Sequence, residues 1–124
     1  PERMRSAYAA TIHPRTRLPT TVVKTACGSP GDSHAHADGP LAVARFSALC
    51  GIAVRPDDGA LIVCDSSNHC IRLVDLARGS VKTVAGTPGR SGHEDGTHSR
   101  FDAPKSAAWL HDGRVAIADM NNHV

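Results

Sequence analysis

The chain contains two copies of one sequence pattern, which follow each other 54 to 58 residues apart. Each copy has a Val-Lys-Thr triplet, a turn rich in Gly and Pro, an Asp-Gly pair, an Arg-Phe pair and an Asp-x-x-Asn-His turn, in the same order. The matching positions are Val23, Gly28, Asp38, Arg45, Phe46, Asp65, Asn68 and His69 in the first copy and Val81, Gly86, Asp95, Arg100, Phe101, Asp119, Asn122 and His123 in the second. This order indicates a repeat protein, in which copies of one unit stack on each other.

Within one copy, apolar runs and turn signals predict four short strands and no helix. The predicted strands are residues 51–54, 61–64, 70–76 and 81–85. The continuously apolar run 61–64 is typical of a strand that is covered on both faces. Lys82 and Thr83 instead favour a half-solvated edge for the fourth strand.

A four-stranded sheet of this size cannot cover both of its faces, so it must stack on a neighbour with the same pattern. Radial stacking of such sheets gives a β-propeller, a ring of several blades. We therefore predict an all-β fold, a β-propeller fragment with four-stranded antiparallel blades. The other blades are missing from this sequence, and both ends are expected to be truncated.

The blade resembles the NHL repeat. The resemblance lies in the segment GIAV, the turn DDG, the run LIVCDSSNHCIR and the name-giving Asn-His pairs, Asn68-His69 and Asn122-His123. The segment VKTVAGTPG (residues 81–89), followed by Asp-Gly and Arg-Phe, is similar to NHL proteins with long inter-blade loops. The resemblance covers residues 21–124 and implies a full blade at about 51–86 and a second, partial blade at about 100–124.

Residues 1–20 are predicted to form an irregular basic tail, because they contain Pro14 and Pro19 and no sustained apolar period. The first 24 residues carry five basic side chains and one acidic one, and an organelle transit peptide is the alternative to a solvated tail. The net charge of the whole sequence is only +2, and no apolar run is long enough to cross a bilayer. DNA and membrane partners are therefore not expected.

The four cysteines show no C-x-x-C pair. Free, partly buried thiols are expected, and the alternative is that Cys64 and Cys70 face each other across a hairpin turn. Reduced cysteines favour an intracellular protein.

The turn of residues 65–69 contains Asp, Ser and His, the residue types of a hydrolase. A catalytic set is needed once, whereas Asp65, Asn68 and His69 recur as Asp119, Asn122 and His123. We therefore interpret them as structural: Asp65 can accept bonds from turn amides, Asn68 tolerates a left-handed backbone conformation, and His69 can bridge the turn and a neighbouring strand. No catalytic residue and no cofactor are predicted.

Two loops have a spacing that suits metal ligands. His34, His36 and Asp38 point the same way in an extended segment, so two imidazoles and a carboxylate could converge on zinc. The second loop has His93 and Asp95 at the matching place. Both stretches are rich in Gly and Ser, and the favoured interpretation is a solvated loop without metal.

The Arg-Phe pairs, Arg45-Phe46 and Arg100-Phe101, follow these loops. We expect each Phe ring to fill the gap between adjacent blades. Each Arg is expected to bind loop carbonyls or a carboxylate such as Asp38 or Asp95.

The function these observations favour is a non-enzymatic interaction module that binds a protein partner with its inter-blade loops, residues 29–44 and 87–99. One alternative is a propeller enzyme of the lyase, hydrolase or dehydrogenase type with a metal in the central channel. Another is RNA binding through one face, for which the low positive charge and the 3% aromatic content give little support.

Overall fold

The computed structural model describes residues 5–7, 23–31 and 35–124. Their regular structure consists of nine strands and two single-turn 3-10 helices, Ser66–Asn68 and Met120–Asn122. The strands are β1 (Arg5–Ala7), β2 (Val23–Thr25), β3 (Gly39–Pro40), β4 (Leu49–Val54), β5 (Leu61–Asp65), β6 (Cys70–Asp75), β7 (Ser80–Gly86), β8 (Pro104–Trp109) and β9 (Val115–Asp119). The predicted all-β fold is confirmed. No helix in the described part of the chain is long and apolar enough to cross a membrane.

The central sheet has the strand order β3-β7-β6-β5-β4, and all its pairs are antiparallel. Its last four strands match the four strands expected from the turn signals. The fourth strand, however, is not a free edge along its whole length, because Gly39 pairs with Val81 and Pro40 with Ser80. A short piece of the preceding loop therefore closes the start of β7.

Two smaller sheets flank the central one. The pair β8-β9 belongs to the second copy, and the pair β1-β2 precedes the first. Arg5 lies opposite Thr25 in β1-β2 as Arg72 lies opposite Thr83 in β6-β7. Residues 5–7 are therefore a strand rather than the irregular tail predicted for residues 1–20, because their register repeats that of β6. The other residues of the predicted tail lie outside the described residues.

The central sheet buries a core on each face. One core joins Val63, Val74 and Val81 to Cys27 and Ala44, which precede the blade. The other joins Ile62, Cys64 and Ile71 to side chains of the second copy. The members from the second copy are Phe101, Ala107, Trp109, Val115 and Ile117. The interior strand β5 is thus covered on both faces, as its apolar run predicts.

Close packing leaves no room for a side chain at two glycines, Gly51 between two sheets and Gly86 at the end of β7. A Cβ on Gly51 in β4 would lie 2.6 Å from the carbonyl oxygen of Lys105 in β8. Gly86 ends β7 with a φ of +85°, and a Cβ there would lie 2.6 Å from the carbonyl oxygen of His69 and 3.0 Å from the ring of Phe101. Only a residue without a side chain fits at these two places.

We predict that Gly86→Ala destabilises the protein more than Gly79→Ala. Gly79 also has a positive φ, +71°, but a Cβ there meets nothing within 4 Å. The Gly79 variant should lose about 1–2 kcal/mol through its left-handed backbone, and the Gly86 variant about 1–3 kcal/mol more through overpacking. Urea unfolding of both variants measures the difference, and equal losses would mean that the close approach at Gly86 does not constrain the fold.

Candidate functional site

The 3-10 turns, the second long loop and the two ends of the first long loop lie at one end of the antiparallel strands. The middle of the first loop instead runs along β7 to its start, where the amide of Leu41 donates to the carbonyl of Gly79 at 3.1 Å. We call the first end the loop face and define it as residues 35–38, 45–48, 66–69, 87–103 and 120–123. Hydrogen bonds tie its parts together: the Asn68 side chain donates to the carbonyl of Ala35 at 2.9 Å, and the amide of Gly89 donates to the carbonyl of Asn68 at 3.0 Å. In the second copy, the Asn122 side chain donates to the carbonyl of Gly92 at 2.7 Å.

A buried arginine lies beneath the loop face. The side chain of Arg72 is 0% exposed, and its guanidinium donates to Asp65 Oδ2 at 2.7 Å and to Asp38 Oδ1 at 2.7 Å. It also donates to the carbonyls of Arg45 at 2.9 Å and Ala37 at 2.7 Å. We call Arg72, Asp38 and Asp65 the Arg72 network. The two carboxylates and two carbonyls compensate a buried charge that would otherwise be very costly.

The ring of Phe46 completes this environment. The guanidinium of Arg72 lies 4.7 Å from the ring centroid, a cation-π contact. Phe46 packs on the first core, and Phe101 packs on the second core at the matching place. Both rings therefore lie between adjacent sheets.

The Asp-x-x-Asn-His turn makes the same contacts in both copies. Asp65 accepts bonds from the amide of Ser47 at 2.8 Å and from the Asn68 side chain at 2.9 Å. Asp119 accepts bonds from the amide of Asp102 at 2.8 Å and from the Asn122 side chain at 2.6 Å. The carboxylates thus bind the end of the preceding loop as well as their own turn.

The left-handed residue of the turn is the histidine and not the asparagine. His69 has a φ of 55° and His123 a φ of 58°. Asn68, which tolerates a left-handed conformation, does not adopt one: it lies within the 3-10 turn, and its side-chain amide donates to Asp65 and Ala35. His69 does bridge to the next copy: its Nδ1 accepts the amide of Ala103 at 3.2 Å, the arrangement of a ring protonated on Nε2.

The metal-ligand candidates of the first loop have other partners. His36 Nε2 lies 2.8 Å from Thr83 Oγ1, and Asp38 Oδ2 accepts the amide of Thr83 at 3.0 Å in addition to its bonds with Arg72. Burial, aided by the charge of Arg72, lowers the pKa of His36. Burial alone would raise the pKa of Asp38, but the hydrogen bonds from Thr83 and Arg72 outweigh it and hold this pKa below its ordinary value.

Of the remaining metal-ligand candidates, the structure describes His93 and Asp95 but not His34. His93 and Asp95 are exposed in the second loop, and His34 lies outside the described residues. Across the described residues, no group of three or more His, Cys, Asp or Glu side chains has an arrangement that could hold a metal ion.

The repeated arginines bind within their own loops. Arg45 Nη1 donates to three successive loop carbonyls, the shortest bond being 2.7 Å to Val43. Arg100 Nη1 lies 3.1 Å from Glu94 Oε1, so its carboxylate partner is the residue before Asp95.

Three of the four cysteines are buried. Burial raises the pKa of Cys27 and Cys64 to about 11 and that of Cys70 to about 12, so these thiols stay protonated near neutral pH. Cys64 lies opposite Ile71 and Cys70 opposite Asp65, so the two cysteines do not face each other across the turn. Cys50, Cys64 and Cys70 are free thiols in the structure, and Cys50 is exposed.

A groove of about 540 Å³ lies at the opposite end of the strands. Its lining residues are Arg55, Pro56, Asp57, Trp109, Leu110, His111 and Gly113. The guanidinium of Arg55 lies 5.4 Å from the Trp109 ring centroid and binds both oxygens of Asp58, at 2.7 and 2.6 Å. The charge of Arg55 is therefore already paired within its own turn.

A scan against models of known protein families finds no match. Among curated proteins, the chain is 37% identical over 68 residues to Protein SUPPRESSOR OF QUENCHING 1, chloroplastic, of Arabidopsis thaliana. That match covers 53% of this chain and 6% of the plant protein.

Two solved structures from Bacteroides thetaiotaomicron have a similar, propeller-like fold. A protein of unknown function superimposes with a TM-score of 0.75 at 28% identity, over 82% of this chain and 26% of that one. An auxiliary nutrient binding protein gives a TM-score of 0.71 at 30% identity, over 86% of this chain and 28% of that one. The predicted β-propeller architecture is thereby confirmed, and the chain spans about a quarter of each of these proteins.

We predict that Arg72→Met destabilises the protein by about 3–5 kcal/mol, because it leaves the carboxylate of Asp65, which is 0% exposed, without its counter-charge. The matched control is Arg78→Met. Arg78 is 86% exposed and lies 3.8 Å from Asp75, so this variant should lose less than about 1 kcal/mol. Urea unfolding measures both, and similar losses would show that the Arg72 network does not stabilise the fold.

We predict an acid-dependent loss of stability that originates at Asp38. Its pKa in the folded protein lies below the ordinary value of 3.8, so its contribution is fully present above that pH and is lost as the pH falls through the folded pKa. Asp38→Asn should be less stable at neutral pH and should lose less further stability on acidification. Urea unfolding at a series of acidic pH values tests this, and parallel pH curves for the two proteins would contradict it.

Proposed function

We propose that the chain is part of an NHL-type β-propeller that acts as a non-enzymatic interaction module. The proposed binding surface is the loop face, with those parts of the inter-blade loops 29–44 and 87–99 that lie there in contact with a protein partner. Within the first loop, residues 32–34 lie outside the described residues.

The observation that carries this proposal is that hydrogen bonds hold the second loop in place at its base. Its base is tied down: the amide of Gly86 donates to Ser99 Oγ at 3.0 Å, and the hydroxyl of Thr87 donates to the carbonyl of Ser99 at 3.2 Å. Further up, the amide of Gly92 donates to the carbonyl of Phe101 at 3.1 Å. Residues 93–98 at the tip are all exposed, and among the described residues no strands matching β6 and β7 pack against them, as those strands do against Asp38 in the first copy. The fixed base of the loop suits recognition, because a loop that is held in place loses little conformational entropy on binding.

The polar groups beneath the tip favour binding over catalysis. Asp65 and Asp119 each accept a loop amide and the side chain of their own Asn, and His69 Nδ1 accepts a backbone amide. A general base must be within reach of a substrate proton, whereas these groups already bind the backbone of the protein. The same contacts in two copies are the behaviour expected of structural residues.

The comparisons support a binding role in general terms. One structural neighbour is described as an auxiliary nutrient binding protein, and its likeness extends over 86% of this chain. The choice of a protein partner rests on the exposed loop tips and not on that neighbour.

The test is to replace the exposed His93, Thr97 and His98 by serine in the intact protein, while Glu94, which pairs with Arg100, and Asp95, which matches Asp38, are kept. The control variant changes Ala77 and Arg78 to serine, because this turn is exposed and lies at the opposite end of the strands. In pull-downs from an extract of the source cells, the loop variant should lose the captured protein while the turn variant keeps it. Both variants should have unfolding midpoints close to that of the unmodified protein. Unchanged capture by the loop variant would refute the proposed surface.

A further inference from the structure

An irregularity in the pairing of β4 with β5 brings two cysteines together. Leu49 lies opposite Asp65 and Ile52 opposite Val63, so Cys50 and Gly51 both lie opposite Cys64. Such a bulge sets two residues of one strand against one residue of the other. Cys50 therefore adjoins the position opposite Cys64, and a disulfide bridges Cα atoms about 4.4–6.8 Å apart.

The two thiols differ in access. Cys50 is exposed, whereas Cys64 is 0% exposed and packs in the second core. Burial and the nearby Cys50 sulfur raise the pKa of Cys64 to about 11. The contribution of Cys50 to this shift is a second indication that the two sulfurs are close.

A lysine from the neighbouring sheet contacts the exposed sulfur. Lys105 Nζ donates to Cys50 Sγ at 3.4 Å. A cation beside a cysteine is typical of reactive thiols, because it stabilises the negative charge that the sulfur carries when it acts as a nucleophile.

This arrangement occurs in only one of the two copies. The position that matches Cys50 in the second copy is Lys105 itself, and the position that matches Cys64 is Ala118. The bulge is present in both copies, between Leu49 and Ile52 and between Pro104 and Ser106. The backbone geometry is therefore part of the repeat, whereas the two thiols and their lysine are specific to one blade boundary.

We propose that Cys50 and Cys64 form a redox-active dithiol, a site that reacts reversibly with small disulfides of the glutathione type. The Cys50 thiolate attacks one sulfur of the small disulfide, whose S–S bond breaks, and the first thiol leaves and takes up a proton. Cys64 then gives its proton to solvent and attacks Cys50 Sγ, which releases the second thiol and forms the Cys50–Cys64 bond. Two electrons and two protons thus pass to the small disulfide, which becomes two thiols.

The order of these steps follows from access. The exposed Cys50 reacts first, and the buried Cys64 resolves the mixed disulfide. The second step is expected to be slow near neutral pH and to accelerate roughly tenfold per pH unit, because the thiolate fraction of Cys64 rises in that proportion. The resulting bond would join β4 to β5 immediately before Asp65, at the foot of the loop face.

The test is to incubate the folded, reduced, intact protein with oxidised glutathione and to map its disulfides by mass spectrometry. We expect one intramolecular bond, between Cys50 and Cys64, which reduced glutathione reverses. Cys64→Ser should stop at a mixed disulfide on Cys50, and Cys50→Ser should leave Cys64 unmodified. If Cys50→Ser folds poorly, as judged by circular dichroism, Cys50→Ala takes its place, and the map of the unmodified protein decides in either case.

The role of the lysine has its own readout. In the Cys64→Ser background, Lys105→Met should slow formation of the mixed disulfide several-fold, while Lys82→Met, a change at another exposed lysine, should not. The proposal is overturned if the mapped bond joins other cysteines, if the mixed disulfide on Cys50 persists even at alkaline pH, or if Cys50 reacts no faster than the buried Cys27. Equal rates for the two lysine variants would remove Lys105 from the site.

Discussion

The positive charge of Arg72, buried between a sheet and the loop that precedes it, is the constraint on which the arrangement of the blade depends. A guanidinium with no solvent contact needs acceptors for its five N–H groups. No single segment of this chain supplies them. Asp65 comes from the strand next to Arg72, Asp38 and the carbonyl of Ala37 from one part of the loop, and the carbonyl of Arg45 from another. Satisfying this one side chain therefore fixes the path of the loop over the sheet.

The same constraint links the network to the backbone conformation of the turns. Asp65 accepts hydrogen bonds from the amide of Ser47 and from the side chain of Asn68. The residue after each of them, Ala48 and His69, has a left-handed backbone conformation. Their matching residues, Ala103 and His123, are left-handed as well. A left-handed conformation is energetically unfavourable for residues other than glycine, and four such residues would be unusual in loops that nothing else holds in place. They are maintained here because carboxylate bonds and core packing hold the residues on either side.

Much of the fold could be predicted from the sequence, because apolar periodicity and turn residues act locally. The repeat, the four strands of the blade and the double-sided burial of β5 all follow from such patterns. The strand at residues 5–7 did not, since nothing around Arg5 alternates clearly. Its register with β2 becomes visible only through the pairing of Arg5 with Thr25, which matches that of Arg72 with Thr83.

The site was less predictable, since its contacts join residues far apart in sequence. Asp38 was identified as a repeated carboxylate, but its arginine partner lies 34 residues later in a strand that otherwise reads as apolar. The one available signal was Arg72 itself, a charged residue between Ile71 and Leu73. The bulge that sets Cys50 against Cys64 has no sequence marker apart from Gly51, whose role depends on the position of β8.

The contact between Asp38 and Arg72 also decides what counts as one module. Excision of the four consecutive strands from Leu49 to Gly86 would separate the arginine from three of its acceptor groups, the carboxylate of Asp38 and the carbonyls of Ala37 and Arg45. The excised piece would keep only the carboxylate of Asp65 as a partner of Arg72 and would leave the start of β7 without its pairing to β3, although all four strands were present. The unit that can be exchanged, duplicated or permuted as a whole therefore begins upstream of Ala37, inside what looks like a connecting loop.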